Sequence, residues 1–266
     1  MKNDEVKLFG LLIIESLREE DQKTGEILYQ EVIKYKKFQE PNLSAFFYRI
    51  NSKSEFFKLL SDTIEKIQND KFFPVLHIEA HGSTDGIQLT SNEIITWDEI
   101  VPYFQKINLL LSNLLVINLG VCYGISLISK IDPEDRAPFR ALVGATKEIR
   151  ETEILVAFEA FYDKLFFSFD FESCLKLMNQ SIDSKIDIFF LITGEYCFDQ
   201  MVNPDRDPTN FQKIVSKHTL EQKLNNKKYA STSIEEVKFI VENEIRGFLL
   251  EAKEKKDYYL MKDITD

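Results

Sequence analysis

Six short runs of almost purely apolar residues recur along the first three quarters of the chain, and amphipathic stretches separate most of them. The runs are Leu8–Ser16, Ala45–Ile50, Val75–Ala80, Leu114–Leu119, Ala141–Ala145 and Ile186–Thr193. Runs this short suit strands buried on both faces, and the second is rich in the aromatic and branched side chains that pack well on a pleated surface. The stretches between them read as helices. Thr24–Phe38 is charged and amphipathic, and Pro41-Asn42 punctuates its end. Asn51 or Ser52 can cap a helix to about Asn69, with Phe56, Leu59, Leu60, Ile64 and Ile67 on one stripe. Thr96 and Glu99 form a capping box for a helix ending near Ile107, directly after a small hairpin of Ile87–Leu89 and Ile94–Ile95. Two more helices, Glu151–Phe167 and Phe171–Gln180, precede the last run. Strands with apolar cores alternating with helices predict an α/β sandwich: a six-stranded, mostly parallel sheet with helices on both faces.

Past Glu195 the pattern becomes helical only. Ser233 and Glu236 form a second capping box, opening a long helix to about Lys255. The expected division is a sheet domain over residues 1–200 and a helical extension over 201–266, hinged near Asn203–Pro208. Phe239, Ile240, Ile245, Phe248 and Leu249 would pack the long helix on the sheet domain, or offer a groove to a regulatory protein partner.

Charge and cysteine content narrow the function. A formal net charge of -11 is the opposite of a nucleic-acid footprint, so nucleic acid and anionic membranes are poor partners. Lys34, Lys36 and Lys37 form a local basic patch that reads as a solvated helix face. Three cysteines with no CxxC and no close histidine fit neither a disulfide framework nor a zinc site, and no metal or organic cofactor is expected. The apolar run Leu8–Ile14 is too short to span a bilayer and no small-residue cleavage site follows it, so the chain reads as cytoplasmic. Neither a GxSxG elbow nor a glycine-rich phosphate loop is present.

Two strands deliver reactive side chains at their carboxyl ends, where open α/β sheets gather their functional groups. His81 leaves the third run and Cys122 the fourth. Parallel neighbouring strands would bring these ends side by side, and Gly82 and Gly124 leave room for a substrate chain. A thiolate, not a thiol, attacks a carbonyl, and an adjacent imidazole can take the thiol proton. The backbone N–H groups of Gly82 and Cys122 are candidates for an oxyanion hole, and a helix starting after Cys122 would favour the thiolate with its positive end. Bland readings stand beside this one. Cys122 can be an inert core cysteine, His81 a strand-end histidine satisfied by backbone, and His77 a hydrogen-bonded core residue. Cys174 and Cys197 look structural.

The pattern His81-Gly82, then Gly120-Val121-Cys122-Tyr123-Gly124, resembles the caspase-like cysteine peptidases. The stretches His77–Leu89, Thr96–Ile100 and Leu115–Gly124 are most similar to the bacterial caspase and CHAT-type branch, and the likeness runs from about Leu8 to Thr193. It implies a caspase-like three-layer sandwich and a cysteine endopeptidase acting on a protein or peptide, with His81 as base, Cys122 as nucleophile and no obligatory third residue. Such bacterial proteins resemble defence or cell-death effectors awaiting a signal or activating partner. The sequence departs from the family at Gly120, where metacaspases carry an acid, so an acidic substrate pocket would need another source, with Glu79 and Asp85 near in sequence. Lys130–Phe139 is short for a self-processing linker, although Arg136 is a conceivable cleavage site. The other reading is a catalytically inactive caspase-like binding or scaffold module.

Overall fold

A computed structural model of the chain describes residues 8–36, 43–70, 72–168, 170–205 and 207–264. Lys37, Phe38 and Pro41-Asn42, read above as helix and turn, lie outside the described residues. The strands are β1 (Leu8–Ser16), β2 (Leu43–Arg49), β3 (Phe72–Gly82), β4 (Gly86–Gln88), β5 (Ile94–Thr96), β6 (Val116–Gly120), β7 (Ala141–Ala145) and β8 (Phe189–Thr193). The helices are α1 (Thr24–Ile27), α2 (Lys34–Lys36), α3 (Lys53–Asp70), α4 (Trp97–Leu110), α5 (Glu151–Ser168), α6 (Phe171–Gln180), α7 (Gly194–Val202), α8 (Pro208–Asn225), α9 (Ile234–Glu254) and α10 (Lys256–Tyr259).

Contacts divide the chain into two compact units. The first comprises residues up to Ile131 together with Ala137–Gly194, and the second comprises Asp132–Arg136 with Glu195 onward. In the first unit the main sheet runs β2-β1-β3-β6-β7-β8. All neighbours are parallel except β7 and β8. Two helices rather than one join β7 to β8, so the chain reverses once more and the last strand enters from the opposite end. The hairpin β4–β5 is added to the overhanging end of β3.

Alternate residues of a strand face opposite sides. Leu11 and Ile13 of β1 and Val75 of β3 join one core cluster with Leu28, Ile33, Phe158, Phe161, Met178 and Phe189, contributed largely by α5, α6 and the segment after α1. On α3 the whole expected stripe, Phe56, Leu59, Leu60, Ile64 and Ile67, is buried, and α4 buries Trp97, Phe104 and Ile107. The capping box of Thr96 and Glu99 forms as expected, and Ser52 Oγ accepts the Glu55 N–H at 3.3 Å. Between α1 and α2, residues Leu28–Ile33 wind as a π-helix, so the single regular helix read over this stretch is interrupted.

The second unit has its own small core. Val237 and Val241 of α9 pack with Phe211, Val215 and Tyr229, while Phe239 is 70% exposed and Phe248 46% exposed. Of the apolar residues named above on this helix, Ile240, Ile245 and Leu249 pack partly buried against this cluster, while Phe239 and Phe248 stay exposed. The capping box of Ser233 and Glu236 is present. Arg136 is clasped within this unit, its two guanidinium nitrogens donating to the Asp263 carboxylate at 2.5 and 2.8 Å and one of them to the Tyr258 carbonyl at 2.6 Å.

Candidate active site

The site follows from register. β3 and β6 pair in parallel up to Glu79 opposite Gly120. Two residues further along each strand stand His81 and Cys122, so continuing the register sets them against each other. β3 is the longest strand because β4 holds its overhang, with His81 opposite Gln88 and Gly82 opposite Ile87. The approach to Cys122 is close: a Cβ placed on Gly82 would lie 2.2 Å from the Cys122 carbonyl oxygen and 2.9 Å from its nitrogen. Only glycine tolerates such backbone contact.

His81 shares its face of β3 with Val75, His77 and Glu79, towards α5. Its side chain is half-exposed, and its Nε2 lies 2.8 Å from Oδ2 of Asp21, in the loop leading to α1. The same oxygen accepts the Arg18 N–H at 2.7 Å. Burial alone would push the Asp21 carboxyl up, but the Arg18 N–H and His81 outweigh it and hold it below the ordinary aspartate value. Asp21 is the site residue that sequence reasoning missed. It lies in a polar loop, and a local motif does not mark it.

Cys122 is half-buried, whereas Cys174 and Cys197 are buried. Burial pushes the Cys174 thiol up to about 11 and that of Cys197 to about 12, which makes both poor nucleophiles. The Cys122 sulfur lies against the loop before α5, receiving the Ile149 N–H at 3.5 Å with the Ile149 carbonyl at 3.6 Å. Among the described residues no hydrogen bond joins it to His81. Tyr123, the next residue, has φ of 56°, a left-handed conformation that turns the chain sharply off the strand. The segment after it, Gly124–Lys130, is a 3-10 helix rather than an α-helix. The helix-dipole contribution expected at Cys122 is reduced accordingly, since few aligned peptides stand behind it.

Glu79 is not available to a substrate. It is 1% exposed, and its carboxylate oxygens face His77 Nε2 at 2.8 Å and the Thr24 hydroxyl at 2.8 Å. His77 is the hydrogen-bonded core residue expected: its other ring nitrogen meets the Tyr162 hydroxyl at 3.1 Å, and Asn118 donates to that hydroxyl at 2.7 Å. Gly120 makes room for this network, because a Cβ there would come within 2.6 Å of the Glu79 carboxyl carbon. The glycine that departs from the family pattern is thus filled by a carboxylate from the neighbouring strand. Asp85 is exposed, in the loop between β3 and β4. A cleft of about 750 Å³ opens beside the Asp21 loop, lined by Arg18, Lys23, Arg49, Asn51 and Asn92.

Among the described residues no group of three or more His, Cys, Asp and Glu side chains could hold a metal ion, and no helix is long and apolar enough to cross a membrane. The chain matches no protein-family model and no curated protein. Among solved structures it is similar to the crystal structure of the Drosophila initiator caspase Dronc, with a TM-score of 0.52 and 16% identity over 71% of this chain and 80% of that one. At that identity the likeness speaks for architecture alone. The parallel sheet, its flanking helices and the paired strand ends together give this chain a caspase-like fold with a helical C-terminal region.

Proposed function

We propose that the chain is a cysteine endopeptidase with His81 as general base and Cys122 as nucleophile. The observation that carries this reading is the backbone contact between Gly82 and Cys122, which sets the two reactive strand ends against each other on a caspase-like sheet. His81 takes the thiol proton, and the Cys122 sulfur attacks the peptide carbonyl carbon to form a tetrahedral oxyanion. The N–H groups of Gly82 and Cys122 are the donors suited to hold that oxygen. Collapse breaks the C–N bond, the imidazolium gives its proton to the leaving amine, and a thioester remains. Water, deprotonated by His81, then attacks the thioester and releases the acid and the thiol. In the present arrangement Cys122 rests on Ile149, so the sulfur must leave that contact to attack.

The test is a mixed peptide library treated with the wild type and with Cys122→Ala, cleavage being read by mass spectrometry. Cleavage by the wild type alone is expected, and equal cleavage by both proteins would overturn the reading. Where neither cleaves, preferential alkylation of Cys122 over Cys174 and Cys197 marks a latent peptidase, and an unreactive Cys122 points to the binding module. An effector role of the bacterial defence kind extends the same proposal. It requires that expression harm cells carrying the wild type and spare those carrying Cys122→Ala.

A further inference from the structure

We infer that Asp21 is the positioning residue of the site: it fixes His81 as the Nε2–H tautomer, leaving Nδ1 as the atom that takes the Cys122 proton. The inference rests on the dyad proposed above and deepens it. An ionised carboxylate only accepts hydrogen bonds, so the 2.8 Å contact requires His81 Nε2 to be the donor. The low proton affinity of Asp21 keeps it in that acceptor form at neutral pH.

The surrounding loop is built to hold this carboxylate in place. Residues Arg18 to Asp21 close a turn, with the Asp21 N–H donating to the Arg18 carbonyl at 3.1 Å and the Arg18 N–H returning to the Asp21 carboxylate. The Arg18 guanidinium is anchored on Gln88 at 2.9 Å, and Gln88 stands opposite His81 in the β3–β4 pair. On the other side the Gln22 N–H donates to the Glu151 carboxylate at 2.9 Å, tying the loop to the start of α5. Lys23 completes the span by donating to the Leu17 carbonyl at 3.1 Å. The loop is thus braced on the same hairpin that carries His81 and on the helix that follows the Cys122 contact.

The consequence is electrostatic as well as geometric. A carboxylate on Nε2 stabilises the imidazolium that forms when Nδ1 takes the thiol proton, and so favours the thiolate–imidazolium pair. Charged residues near the pair include Asp21, Arg18 and Lys23 from the loop, Glu151 from α5, and Lys147, Glu148 and Arg150 from the segment on which Cys122 and Tyr123 rest, with neutral Gln88 from β4. Of these, Asp21 alone contacts the ring. Removing its charge therefore shortens the pH range over which the ion pair persists.

The measurement is the rate of iodoacetamide alkylation at Cys122 against pH, which needs no substrate. It would be run on the wild type, Asp21→Asn, Asp21→Ala and His81→Ala. Asp21→Asn is expected to move the profile to higher pH by about one unit, and Asp21→Ala by at least as much. Its peptidase kcat should fall by roughly 10²- to 10⁴-fold with KM nearly unchanged. Asp21 profiles that superimpose on the wild type, while His81→Ala is displaced, overturn the role of Asp21 and leave the dyad standing. A wild-type profile in His81→Ala overturns the dyad and this inference together. Nitrogen NMR of the wild-type imidazole provides a second readout free of any folding defect: neutral His81 should carry its proton on Nε2, and an Nδ1–H tautomer overturns the assignment.

Discussion

Glu15 and Glu79 stand opposite each other on neighbouring strands, both buried on the face beneath α1. A carboxylate buried in this way is costly unless hydrogen-bond partners meet it. For Glu79 the partners are His77 and Thr24. For Glu15 burial pushes the carboxyl up, repulsion from Glu79 adds to it, and the Glu26 N–H and Arg49 oppose it without cancelling it. A raised folded value stabilises the fold most below the ordinary glutamate value of 4.5, and that contribution is lost as pH rises through the folded value. The wild type should therefore gain stability relative to Glu15→Gln as pH falls through the raised Glu15 value. Urea midpoints of the two proteins at several pH values check this, and a constant difference would mean that Glu15 does not titrate in that window. Neither fact was legible from a carboxylate inside an apolar run. Residue spacing says which face Glu79 takes, but not what lies on that face.

Among the elements, two strand ends carry the proposed dyad, and the loops after them surround it. β3 overhangs because β4 pairs with it, and β6 ends at a residue pair that leaves Cys122 in a turn. Gly82 is the position where the two backbones meet. Gly82→Ala drives a methyl group into the Cys122 carbonyl, and backbone rather than a flexible side chain has to give way. The expected result is a loss of about 1–3 kcal/mol in denaturant unfolding together with slower alkylation of Cys122. Unchanged values in both measurements would show that the strands are not in contact at this point. That His81 and Cys122 end successive core strands was legible in the sequence, since apolar runs and the glycines after them are local features. The winding of Gly124–Lys130 was not, because an α-helix and a 3-10 helix share the same short-range pattern of residues.

Across the whole molecule, the second unit takes in the loop Asp132–Arg136 from the middle of the chain. Arg136 stacks over Tyr258 at 3.6 Å and makes a bidentate pair with Asp263, while Glu134 meets Lys255 at 2.5 Å. A trypsin-like or self-processing cut at Arg136 requires this clasp to open. Asp263→Ala should speed tryptic cleavage after Arg136 about two- to fivefold at low protease, the scale set by a partly exposed ion pair. An unchanged rate would mean that the stacking and carbonyl contacts hold the loop by themselves.

Local patterns in the sequence were enough for the layered α/β class, for the starts of α1, α3, α4, α5, α6 and α9, and for the two strands that lead into His81 and Cys122. Apolar runs, caps and turn residues act over a few positions, and their physics is complete within those windows. Tertiary structure alone decided that Asp21 meets His81 from sixty residues away, that Glu79 faces the Gly120 backbone, and that Arg136 is gripped by Asp263. Each of these depends on strand order, register or the docking of a distant segment. Such choices are settled by packing and charge compensation across the assembled fold, which no short stretch of sequence contains.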